Sequence, residues 1–152
     1  MFKKVMASSS ILFLALFLVS TSVFAATADT TTLTKNQQQA LIIIDKANAE
    51  ISAKIDTAVA EANALQTTYL AEIKEIALKE KGTTLTTKLA ECKAEYDKVL
   101  NEISTNLYNE TLQISNEAIR QAAKLGVTAE CSWVLVKLAD TTVWIDPINV
   151  GL

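Results

Sequence analysis

Histidine is absent from this sequence, and arginine occurs once, at Arg120. The first absence removes the side chain most used for acid–base catalysis and divalent-metal binding near neutral pH. Glycine is confined to Gly82, Gly126 and Gly151, and proline to Pro147. No glycine-rich phosphate loop can be assembled from so few positions. The only cysteines are Cys92 and Cys131, without the CxxC spacing of a redox motif. Carboxylates are numerous, but they fall where a solvated helix face puts them; Glu91 and Glu95 stand one turn apart, flanked by Lys88 and Lys98. These absences argue against an enzyme and imply no cofactor and no metal.

What is present is helix-forming. Within the 152 residues, the first 28 form a separate segment. Lys3 and Lys4 precede an apolar run from Ile11 to Val19, followed by small residues through Ala28. That order matches a secretory signal peptide, with cleavage after Ala25 or just beyond. The expected location is therefore secreted or in the cell envelope. Without Lys3 and Lys4, 12 basic residues face 17 acidic ones, a net charge near −5. The phosphate backbone demands a basic footprint, so a nucleic-acid partner is not expected. Acidic polar faces also oppose attraction to anionic lipid, which weighs against membrane association.

Residues 29–34 form a short threonine-rich leader. Thr34 and Gln37 have the spacing of a capping box, in which each side chain satisfies the other's backbone amide. From there apolar or small residues recur at Leu41, Ile44, Ile51, Ile55, Ala58, Ala62, Leu65, Tyr69, Ile73 and Ile76. Steps of three and four place them on one face of a helix from about 35 to 80. Gly82 is the strongest internal turn signal, with Thr83 or Thr84 available to cap the next helix. A second stripe runs through Leu85, Leu89, Cys92, Tyr96, Val99, Ile103, Leu107, Ile114, Ala118, Ala122 and Leu125. Two matched stripes joined by a short turn predict a mainly α fold, a long antiparallel helical hairpin over 35–125.

The stripes are thin in places. Asn48 falls on the first, and alanines fill several positions where large side chains would bury more area. Either the hairpin is broken into a three- or four-helix bundle, or further subunits cover it. A homo-oligomer is the favoured expectation, with another exported protein as the other partner class. The candidate interface residues are Leu41, Ile44, Ile51, Ile55, Leu65, Ile73, Ile76, Trp133 and Trp144.

Beyond Gly126 the texture changes. Trp133-Val134-Leu135-Val136 and Thr141-Thr142-Val143-Trp144-Ile145 are β-branched and aromatic, with Ala139-Asp140 between them. They predict a β-hairpin over Ser132–Leu138 and Thr142–Ile145, within a tail of 126–152 that packs on the helices or joins an intersubunit sheet. Pro147 blunts the second strand, and the last five residues are expected to cover apolar surface.

In an exported chain an even number of cysteines suggests a disulfide between Cys92 and Cys131. A continuous helix from Cys92 to Leu125 advances about 50 Å. The six residues beyond return at most about 20 Å. A bridge needs Cα atoms within about 7 Å. Three alternatives remain: the second helix breaks near Ser104-Thr105-Asn106 or Asn109-Glu110-Thr111 and folds back; the bridge joins two subunits head to tail; or both thiols are free. The function most consistent with these features is a non-enzymatic secreted structural protein that self-associates into a filament or envelope layer. The alternatives are an exported binding or chaperone-like module, and a membrane-active helical protein.

Overall fold

The computed structural model describes residues 33–150. The expected signal segment and most of the leader lie outside them. Two helices dominate, α1 (Lys35–Lys79) and α2 (Gly82–Lys124), packed side by side as the predicted hairpin. At 1.5 Å per residue each is about 65 Å long.

The ends of the helices obey local chemistry. The Gln37 amide donates to Thr34 Oγ1 at 3.2 Å, and the Thr34 amide donates to Gln37 Oε1 at 2.8 Å. That is the expected capping box. Gly82 opens α2 with φ of +60°, a conformation that costs glycine little. Neither Thr83 nor Thr84 caps the helix; both lie inside its first turn, and the N-cap is Lys81. At the other end, the Gly126 amide donates to the Ala123 carbonyl and the Val127 amide to the Ala122 carbonyl. With Gly126 at φ of +78°, this is a Schellman closure. Val127 is buried in the same cluster as Ala122, which supplies the accompanying apolar contact.

The expected alternative of a broken second helix is not what forms. Helix α2 runs unbroken through Ser104-Thr105-Asn106 and Asn109-Glu110-Thr111. Thr111 shows why: its buried hydroxyl donates to the Leu107 and Tyr108 carbonyls at 2.9 and 3.1 Å. A weak helix former whose polar atom is satisfied inside the helix need not end it. Tertiary packing then outweighs propensity.

The tail forms four strands: β1 (Ala129–Cys131), β2 (Val134–Leu138), β3 (Thr141–Ile145) and β4 (Ile148–Val150). Strand β2 starts two residues later than expected and β3 one earlier. The terminal residues do more than cover a surface, since β4 pairs with β1. Register shows that the two pairs are one long ribbon. Ala129 faces Val150, Cys131 faces Ile148, Val134 faces Ile145 and Leu138 faces Thr141, without insertion in either strand. The ladder is interrupted only at Ser132–Trp133 and Asp146–Pro147. There the Ser132 amide donates to the Pro147 carbonyl at 2.7 Å, but proline has no amide to return. The ribbon also changes face at this point. Its buried residues are Ala129 and Ile148 on one side of the break, and Val136, Leu138 and Ile145 on the other.

The ribbon folds back from the end of α2 and lies along the helical hairpin, β2 against α1 and β3 against α2. This accounts for the thin places in the stripes. Ala40, Ala47, Ala118 and Ala122 form one buried cluster with Ile44, Ala129 and Ile148. Ala58 and Ala62 belong to a second, with Ile51, Tyr96, Leu100, Leu107, Val136, Leu138 and Ile145. Small helical side chains leave room for strand side chains. Complete burial of a residue such as Leu138 or Ile145 contributes about 1.5–3 kcal/mol.

Three polar contacts fix the ribbon's position. Asn48, a flaw in the first stripe when read from sequence, donates from Nδ2 to the Ile148 carbonyl at 3.0 Å and accepts from the Ile148 amide at 2.9 Å. Its amide does for β4 what a third strand would do. The buried Ser115 hydroxyl donates to the Asp146 carbonyl. At the turn, Tyr96 Oη donates to Asp140 Oδ1 at 2.6 Å. Asn48→Ala leaves both Ile148 backbone groups unpaired and should lower unfolding free energy by about 2–3 kcal/mol, measured by urea denaturation. Leu138→Ala should cost about 2–5 kcal/mol by the same assay.

Candidate functional site

The alternation of β2 and β3 divides the ribbon into an inner and an outer face. Val136, Leu138 and Ile145 turn toward the helices. Trp133, Leu135 and Trp144 turn away, with exposures of 58%, 51% and 54%. Leu135 and Trp144 are directly opposed across the ladder, and Trp133 is the diagonal neighbour of Trp144. Opposed and diagonal side chains on one face lie within about 4.5–8 Å at Cβ, close enough to form one surface. Lys137 and Thr142 continue the same face toward the turn, whereas Val134, paired with the buried Ile145, belongs to the inner face and is left 45% exposed at its end. Two half-exposed indoles beside a half-exposed leucine make a contiguous apolar patch on rigid strands.

The patch is held from beneath. Asp140 anchors the turn through Tyr96, whose ring stacks on Tyr69 with centroids 4.4 Å apart and planes 18° apart. Burial, reinforced by the Asp140 carboxylate, pushes the Tyr96 phenol up to about 12. Ala139, the first turn residue, takes φ of 51°, as a two-residue hairpin loop requires of at least one residue.

The structure divides the expected interface residues. Ile44 and Ile51 are buried within the chain's own core. Leu41, Ile55, Leu65, Ile73 and Ile76 are half-buried along the helical seam. Trp133 and Trp144 come together on the outer ribbon face. Asn48, which positions that face, carries no recognisable sequence signal beyond being polar on an apolar stripe.

The cysteines are separate and unbonded. Cys131 sits beside Ser115 and Asp146, whereas Cys92 sits beside Glu72. Ser115 and Cys92 are about 35 Å apart along α2. The intrachain bridge needed a fold-back that α2 does not make. Cys92 is buried in the seam, so a link to another copy through it needs local opening. Burial pushes both thiols up, with the Glu72 carboxylate adding to this at Cys92 and Asp146 at Cys131. Thiols shifted in that direction are poor nucleophiles.

No group of metal-ligating side chains occurs among the described residues, and none of their helices is long and apolar enough to cross a membrane. No family model matches the chain, and comparisons with curated proteins and solved structures find no significant match.

One buried charge stands out at the ribbon break. Asp146 is 3% exposed and its Oδ1 has no hydrogen-bond partner. Burial pushes its carboxyl above the ordinary range. A folded-state pKa above the unfolded value means that the folded chain holds its proton more tightly. The associated stability is present in acid and is lost as pH rises through the folded value. Asp146→Asn should therefore be more stable than the parent at pH 7, by on the order of 1 kcal/mol. The advantage should shrink toward pH 4, as read from urea midpoints at the two pH values.

Proposed function

We propose that this chain is a non-enzymatic, exported structural protein that associates with copies of itself through the outer face of its ribbon. The observation that carries the reading is the apolar patch of Trp133, Leu135 and Trp144. The inner ribbon face and the alanine-lined seam are consumed by the chain's own packing, whereas this patch has no partner among the described residues. Tryptophan is favoured at the centres of interfaces, where its area is large and few rotatable bonds are lost. The sequence supplies no histidine, and the cysteines carry thiols shifted away from reactivity, which supports a role without catalysis. The signal-like first segment supports export.

Sedimentation of the purified mature chain from micromolar to near-millimolar concentration tests this. The average mass should rise with concentration. It should rise equally in reductant, because the proposed contact is the non-covalent ribbon face and not a disulfide. Trp133→Ser combined with Trp144→Ser should hold the chain at monomer mass with unchanged helical circular dichroism. A parent chain that remains monomeric throughout would overturn self-association and favour a patch that receives a different exported protein.

A further inference from the structure

The outer ribbon face has a counterpart on the other side of the molecule. Asn48 and Ser115 point at the ribbon. Two residues further on, Glu50 and Glu117 lie about 200° around their helices, on the opposite side. There a groove runs between α1 and α2, with a volume of about 500 Å³. Its apolar floor is Ile43, Ala47, Ile114 and Ala118. A second depression of about 220 Å³, floored by Ala58, Ile103 and Leu107, continues it along the rod. The Lys54–Glu110 ion pair, at 2.7 Å, spans the point where they meet. From Ile43 to Glu61 the groove is about 27 Å long.

We propose that the outer ribbon face of one copy docks into this groove of the next, so that copies stack front to back. The inference rests on the self-association reading above and names the surface that receives the patch. Position is the first support. The ribbon is pinned at Asn48 and Ser115, and the first part of the groove spans the same levels of both helices. Patch and groove are therefore back to back on one slab of the molecule, and stacking needs little axial shift.

Charge is the second. The groove is rimmed by Glu50, Glu61, Glu110 and Glu117 together with Lys46 and Lys54. Glu110 is paired with Lys54 and Glu117 with Arg120, while Glu50 and Glu61 make no ion pair among the described residues. The one charge on the outer faces of β2 and β3 is Lys137. Docking in the groove sets this cation near the rim carboxylates Glu50 and Glu61, which have no ion-pair partner among the described residues. Packing two patches on each other sets Lys137 of both copies into one small interface, where like charges oppose association.

Area is the third. A fully exposed indole offers about 150–250 Å². Two half-exposed indoles and a half-exposed leucine leave a few hundred Å². That is below the roughly 800 Å² per partner of a stable interface. A patch-to-patch dimer would end there. In the groove the flanks of both helices join the contact. Because donor and acceptor surfaces differ, the contact is heterologous and leaves a free patch at one end and a free groove at the other. Repetition gives an open array.

Mixing two disabled chains tests the arrangement. One carries Trp133→Ser and Trp144→Ser and keeps its groove. The other carries Glu50→Lys and Glu117→Lys, both at exposed positions, and keeps its patch. Circular dichroism checks that each retains its helices. Each alone should associate at least about tenfold more weakly than the parent. An equimolar mixture should form a one-to-one dimer and stop there. If the groove variant self-associates like the parent while the patch variant does not, the groove is not the acceptor, although assembly through the patch stands. If the patch variant also self-associates like the parent, the patch is not the donor either. A monomeric parent removes both readings.

Discussion

The pairing of Asn48 with the backbone of Ile148 decides how much of this chain is structure and how much is surface. One side chain on a long helix satisfies both the amide and the carbonyl of a residue one hundred positions later. With that strand held, Ile148 fills the alanine-lined end of the seam. The ribbon then runs on with Val136, Leu138 and Ile145 turned down and Trp133, Leu135 and Trp144 turned up. Ser115 holds the carbonyl beside the break, and Tyr96 holds the turn. Detached from these three points, the ribbon would have two apolar faces and the helices a seam of exposed alanine.

Economy of side-chain volume depends on the same contact. Two helices with large residues at every seam position would close on each other. Here Ala40, Ala47, Ala118 and Ala122 keep the helical surface low, so that Ala129 and Ile148 complete the packing. Farther along, Ala58 and Ala62 do the same beneath Leu138 and Ile145. Beyond the turn at Asp140 no ribbon remains, and the helical hairpin continues as two helices to the Gly82 tip. Leu70 and Leu78 are exposed in that distal half.

Much of this is legible in the sequence because it is local. The capping box at Thr34 and Gln37, the turn at Gly82, the end at Gly126 and the two stripes depend on residues within a few positions of one another. The turn near Ala139-Asp140 and the grouping of Trp133 with Leu135 come from local composition and alternation, whereas the placing of Trp144 on the same face needs the register between the strands. The remainder depends on contacts across the chain. Alanines in a helical stripe look like missing mass until the strand that fills them is placed. Asn48 looks like a misfit for the same reason. Ser104 through Thr111 reads as a place to break because propensity says nothing about the hydroxyl of Thr111 bonding to its own helix. Pro147 is recognisable as blunting the strand, but not as the centre of a ribbon that continues on both sides and changes face.

Docking of the ribbon on the helical hairpin is the point on which the core, the exposed patch and the opposite groove all rest. Native-state hydrogen exchange at the Ile148 amide measures it most directly, because that proton is bonded to Asn48 Oδ1 and to no other strand. Exchange as slow as that of the helical amides around Ile51, with the same dependence on denaturant, is the expected result. Exchange at the rate of an unstructured peptide, while the helices remain protected, would contradict the docked ribbon.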